Sequence, residues 1–162
     1  MKMKVNKLDY VVAGIAFLTV FALKINLPVW AIFFGWAWYF ALGADVKVFK
    51  EAIPAMLMGY LLGGVSIVID ALFANFWILA IIVAITVFLL MLSLKFKTFA
   101  CSLASFNAYS ILFAGYYAGN FPALTDGGVA GINNVLLAIG WFSLANIVGL
   151  ICGYASIKLG TK

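Results

Sequence analysis

A chain of 162 residues that is 67% apolar and only 9% charged is not an ordinary soluble domain, in which roughly a quarter of the residues carry charge. In water it would have no polar coat, so lipid is the solvent that suits it. Ten bases against five acids give a net charge of +5. The bases are all lysines at the ends of apolar runs, which is not the stripe or patch of a nucleic-acid binder.

Histidine is absent, which removes the commonest metal ligand and general base. Cys101 and Cys152 each lie inside an apolar run, and their spacing fits no zinc or redox motif.

Taken in chain order, six segments approach the roughly 20 apolar residues that a spanning helix needs. The basic start at residues 1–7 precedes an apolar run with no small-x-small cleavage site, so a retained helix is expected there. That first helix covers residues 10–26, with Lys24 reaching to the interface. The second covers 27–43, with Pro28 in its first turn and Gly43 as its stop. The third covers 52–73, with Pro54 in its opening turn. Asn75 caps the fourth, 76–94, and Thr98 caps the fifth, 98–119. A loop with Pro122, Asp126, Gly127, Gly128 and Gly131 leads to the sixth, 134–157, which Asn134 opens. The backbone must satisfy itself in lipid, so continuous runs of this kind are helices. They do not alternate as barrel strands would. The expected fold is therefore an all-α integral membrane protein forming a single transmembrane domain.

The lysines set its orientation. Lys2, Lys4, Lys7, Lys47, Lys50, Lys95, Lys97, Lys158 and Lys162 fall on one side of a six-helix chain. The other side has Lys24 with Asp70 and Asp126. The positive-inside rule places both termini in the cytoplasm.

An internal echo accompanies this plan. Phe33 and Phe40-Ala41 in the second helix are matched in spacing by Phe106 and Phe113-Ala114 in the fifth. Gly59-xxx-Gly63 in the third is matched by Gly149-xxx-Gly153 in the sixth. Three-helix halves have opposite orientations, as in transporters and channels built from inverted repeats. The alternative is chance, because Phe, Ala and Gly are abundant here.

Several residues are candidates for function. Gly59, Gly63, Gly149 and Gly153 allow close helix packing, within one subunit or between subunits. The aromatic second helix carries Trp36 and Trp38 well inside, where they line a pathway or pack in the core. Asn107 and Asn146 are amides inside spanning segments, with Ser105, Tyr109 and Ser143 on nearby stripes. Such groups line a solute pathway or bond one helix to another. Lys24 and Asp70 fall at the outer face and could pair across a vestibule. All the carboxylates map to helix ends or loops, so the carboxylate usual in a proton-coupled carrier is missing from the middle of the membrane. No phosphate-binding loop, catalytic triad or metal-ligand cluster appears. Neither an enzyme nor a cofactor is expected.

The run from Trp30 to Gly43 (WAIFFGWAWYFALG), the lysine-bearing loop after it and Gly59-xxx-Gly63 resemble a known group. This is the family of small bacterial inner-membrane proteins called domain of unknown function 1097, and the resemblance extends over residues 8–158. It implies a bacterial plasma membrane and about six helices. It carries over no catalytic or binding residue.

The function expected from the residues is a channel or facilitator for a small neutral or weakly polar solute. A bundle of 17.5 kDa leaves little room for a conduit and its wall, so a homo-oligomer with a pathway in each protomer is expected. The other reading is a non-transporting membrane subunit that packs on partner proteins through its glycine faces.

Overall fold

Asn6 starts the first helix by a reciprocal cap: its side chain accepts the Asp9 N–H, and Asp9 accepts the Asn6 N–H. In the computed structural model, which describes residues 5–124 and 131–161, this cap begins α1 (Lys7–Thr19) three residues earlier than the apolar pattern indicates. Lys2, Lys4, Asp126 and Lys162, used above for orientation, lie outside the described residues, as do Gly127 and Gly128.

A 3-10 segment, Val20–Ile25, continues α1 and ends at Asn26, which takes the left-handed conformation (φ 58°). Next comes α2 (Val29–Ala41), and Gly43 stops it with φ +103°, a value a side chain would strain.

The third helix, α3 (Lys47–Phe73), starts five residues before the expected residue 52. The Asp45 carboxylate accepts the Lys47 N–H at 2.8 Å and turns the chain into the helix there. Pro54 therefore lies inside α3, not in its opening turn, where it has no N–H to donate to the carbonyl one turn back. Asn75 caps α4 (Phe76–Ser93) as expected, accepting the N–H groups of Trp77 and Ile78.

Thr98 is no cap. Lys97–Phe99 form a single 3-10 turn, and α5 (Ser102–Tyr117) begins after Cys101. The last helix, α6 (Ile132–Gly160), begins after Gly131. Asn134 does not open it; its side-chain Oδ1 accepts the Leu124 N–H at 2.8 Å.

The described residues are helical with no strand. Lys7–Ile25, α3, α4 and α6 are each long and apolar enough to cross a membrane, and α2 is a shorter apolar helix. This is the apolar helical bundle of a membrane protein. Helix α2 packs on α6 and α3 on α5, while α1 lies against α6, α4 against α3, and α3 against α6. The apolar core includes Ile32, Trp38, Tyr39, Met56, Tyr60, Ile111, Leu112, Phe142 and Leu150.

Candidate functional site

The four packing glycines act within the chain, in two pairs. A Cβ added to Gly59 would lie 2.1 Å from the Ser105 carbonyl oxygen; one added to Gly149 would lie 1.9 Å from that of Ile32. Backbones therefore touch where α3 meets α5 and where α6 meets α2. One turn further, a Cβ on Gly63 would meet Leu112 and Tyr109 at ordinary distances, whereas one on Gly153 would lie 2.5 Å from the Tyr39 Cβ. Gly35 takes part too, since its Cβ would lie 2.0 Å from the Asn146 carbonyl oxygen.

Asn146 is wholly buried and both ends of its amide are used. Its Oδ1 accepts the Tyr60 hydroxyl, and its Nδ2 donates to the Ala31 carbonyl at 2.7 Å. One side chain thus joins α2, α3 and α6, and the amide is paid for by its own bonds.

A second polar knot joins α3, α4 and α5. The hydroxyls of Ser66, Thr86 and Tyr109 form a triangle with sides of 2.8 to 2.9 Å. Ser105 donates to the Ser102 carbonyl at 3.1 Å, so it is satisfied inside its own helix.

Among the described residues, three buried polar atoms have no hydrogen-bond partner: Trp36 Nε1, Trp38 Nε1 and Ser143 Oγ. The two tryptophans are 3% and 1% exposed, so bulk solvent does not satisfy their N–H groups. Phe33 stacks on Trp36 with centroids 5.7 Å apart and covers that ring from the outside.

Asn107 has different surroundings from Asn146. It is half-buried, and its side chain forms no hydrogen bond among the described residues. Helical spacing puts Leu103, Asn107, Ser110 and Ala114 on one stripe of α5, opposite the stripe of Ser105 and Tyr109 that faces α3. The structure does not bring the two asparagines into one site.

Clefts open at both ends of the α2–α5 pair. One, of about 520 Å³, lies where α2 begins and α5 ends, lined by Asn26, Leu27, Pro28, Trp30, Asn120 and Phe121 among others. The other, of about 400 Å³, lies where α5 begins and α2 ends, lined by Leu42, Glu51, Lys97, Cys101, Ser102 and Leu103 with Ala100. Between them a recess of about 360 Å³ is formed by Trp30, Phe34, Ser110, Ile111 and Ala114, with Ala118 and Asn120. Trp30 and Asn120 belong to both the first cleft and the recess. Asn107 sits on α5 between the residues of the recess and those of the second cleft.

Lys24 and Asp70 form no ion pair with each other. Asp70 accepts the Tyr117 hydroxyl at 2.5 Å, and the Lys24 ammonium lies 5.3 Å from the centre of the Phe21 ring. The sequence reading passed over Tyr60, Thr86 and Asn120. Thr86 had a visible signal, a lone hydroxyl inside the run from Phe76 to Leu92. Tyr60 had none, because its partner is 86 residues away.

Residues 10–161 match the model of a family described as Protein of unknown function (DUF1097). No curated protein and no solved structure matches the chain.

Proposed function

The chain belongs to the DUF1097 family, and from its geometry we propose that it is a six-span facilitator for a small uncharged solute. In this reading it lies in a bacterial plasma membrane with both termini cytoplasmic, following the lysine distribution. Its two halves, α1–α3 and α4–α6, are inverted copies.

The repeat draws support from the glycine contacts. The register that lays Phe33 on Phe106 also lays Ile32 on Ser105 and Tyr39 on Leu112. The register that lays Gly59 on Gly149 lays Gly63 on Gly153. The contact of Gly59 with Ser105 then becomes that of Gly149 with Ile32, and Gly63 with Leu112 becomes Gly153 with Tyr39. Neighbouring helices follow the same exchange: α3 against α5 becomes α6 against α2, and α4 against α3 becomes α1 against α6. Four motif residues chosen for spacing alone would have no reason to share partners in this way.

The observation that carries the transport reading is the pair of clefts. They occupy corresponding places in the two halves, at the starts of α2 and α5, and they open at opposite ends of the bundle. The seam between α2 and α5 joins them, with the recess part of the way along. A route along this seam meets uncharged hydrogen-bonding groups between the clefts, which suits selection by size and polarity. Asn107 belongs to this route. Asn146 belongs to the structure that holds the helices apart from it. The scaffold reading draws no support from the glycine faces, because Gly59 and Gly149 already meet backbone of their own chain.

Reconstitution into liposomes with stopped-flow swelling against a panel of small solutes tests this proposal. Faster equilibration of at least one uncharged solute than in protein-free vesicles is expected. Background rates for the whole panel would remove it. Single cysteines at Lys47 and Lys95 should be protected from an impermeant thiol reagent in intact cells, and one at Asp126 should react. Reaction at Lys47 and Asp126 from the same side would overturn the six spans.

A further inference from the structure

We infer that α5 pairs with α5 of a second copy along its exposed stripe, and that this contact closes the open side of the α2–α5 recess. The pairing stands on the chain being a membrane protein; the closing of a route rests in addition on the facilitator reading.

The stripe has the spacing of a helix-pairing seam. Leu103, Asn107, Ser110, Ala114 and Tyr117 follow one another at intervals of four, three, four and three residues, the pattern by which two helices stay in contact at a shallow left-handed crossing. All but Asn107 are exposed, and Asn107 is half-buried. Neither Asn107 nor Ser110 forms a side-chain hydrogen bond among the described residues. Other helices present a different surface. The exposed positions of α4 from Ala80 to Leu89, and of α6 from Leu136 to Ile151, are all apolar. Lipid tails satisfy neither an amide nor a hydroxyl, so they suit the α5 stripe poorly.

Length points to the same face. Helix α2 has 13 residues and α5 has 16, about 20 and 24 Å at 1.5 Å per residue, against a hydrocarbon layer of about 30 Å. The four helices long enough to cross a membrane have 18 residues or more. Both short helices border the recess. The bilayer must thin along this face unless protein covers it, and association relieves such a mismatch.

A second copy is the occupant that fits. Two copies inserted in the same orientation put each residue at the depth of its counterpart. About a two-fold axis along the membrane normal, Asn107 then meets Asn107 and Ser110 meets Ser110. A carboxamide and a hydroxyl each carry both donor and acceptor, so each bonds its own kind. An unrelated helix would have to supply polar groups at those same depths. The small side chains of Ser110 and Ala114 let the two backbones approach. These two residues also line the recess, together with Trp30 and Phe34. They are exposed in the single chain, and the second α5 covers the recess there.

The first test uses the full chain in membranes, with Cys101→Ala and Cys152→Ala removing the native thiols. Oxidation should link chains carrying Ser110→Cys or Ala114→Cys into dimers, because the facing Cα atoms lie within the roughly 7 Å that a disulfide spans. Chains carrying Ile81→Cys or Leu136→Cys should stay unlinked. No link at either stripe position, or equal linking at all four, would overturn the pairing. In liposomes, energy transfer between chains labelled at their N-termini measures the association constant. It should fall roughly 3- to 30-fold for Asn107→Leu, with Asn107→Gln closer to the native value. For the native chain it should rise as the lipid acyl chains lengthen. Association indifferent to both residue 107 and bilayer thickness would overturn the pairing. Flux separates the two parts of the inference: it should fall per chain as lipid dilution parts the dimers. Full flux from separated chains would leave a route complete in one protomer and overturn the closing of the recess. Dimers with background flux for every solute would remove the facilitator reading and leave the pairing.

Discussion

Asn146 and Asn107 are the same side chain on neighbouring helices of one bundle, and they illustrate two ways of keeping an amide inside a membrane protein. Asn146 sits where backbones touch, and every polar atom of its side chain is bonded across to another helix. Asn107 sits on a seam with open clefts at its ends and has no such bonds. The contrast extends to the surroundings of each. Around Asn146 the glycines Gly35 and Gly149 leave no room for even a methyl group. Around Asn107 the neighbouring recess holds about 360 Å³. Close packing and full bonding belong to the part that must not move. Space and unpaired polar groups belong to the part through which, in the proposed function, a solute would pass.

The largest effect tests the close-packed side. Gly149→Leu would set an isobutyl group against the Ile32 carbonyl and the Trp36 amide, both backbone. Backbone cannot rotate away as a side chain can, so α2 and α6 would have to separate. Gly59→Leu does the same to α3 and α5. Little correctly folded protein should be recovered in mild detergent from either variant. Normal yield and size on chromatography would break the claim that these helices meet at their backbones. Similar losses from the two variants would also fit the inverted repeat, in which the sites are equivalent.

Next in size is Asn146→Leu. It strands the Tyr60 hydroxyl, at roughly 1–3 kcal/mol for a buried group left unpaired, and removes the second bond to the Ala31 carbonyl, which keeps its partner within α2. The melting temperature in detergent should drop, while flux per inserted protein stays near that of the native chain. Asn107→Leu should show the opposite pattern, with nearly unchanged melting and lower flux. If the two variants behave alike, the division between a bonded frame and an open seam fails.

Much of this frame was legible before any coordinates. Long apolar runs must be helices in lipid, Asn75 is a capping residue placed just before one, and the spacing of Gly59 and Gly63 anticipates close approach. Where the reading missed, the cause was a hydrogen bond that hydropathy does not show. The start of α3 depends on Asp45 accepting the Lys47 N–H, which a run of apolar residues does not show. Asn134 looked like a helix opener, but its side-chain Oδ1 accepts the Leu124 N–H. The two amides were read as one pair because residue type and depth are similar for both. What separates them is Tyr60 in another helix and a carbonyl in a third, and no local pattern carries that information.

The smallest effect concerns glycines that touch nothing. Among the described residues, an added Cβ at Gly14 or Gly140 would meet no atom within 4 Å of either position. A helical glycine in such a place contributes only its excess backbone freedom in the unfolded chain. In water, alanine there gains about 0.5–1 kcal/mol. Gly14→Ala and Gly140→Ala should therefore raise the melting temperature slightly or leave it unchanged, with unaltered flux. Gly140 gives the sharper version of the test, because it lies on the exposed side of α6, the same helix whose Gly149 tolerates nothing. If a second copy of the chain packed its backbone against that side, the added methyl group would have no space in the assembly. Gly140→Ala would then lower the oligomer size in detergent while leaving the protomer folded. An unchanged size together with an unchanged or higher melting temperature would show that this side of α6 faces lipid. The glycines that hold the structure together would then be those closed within a single chain.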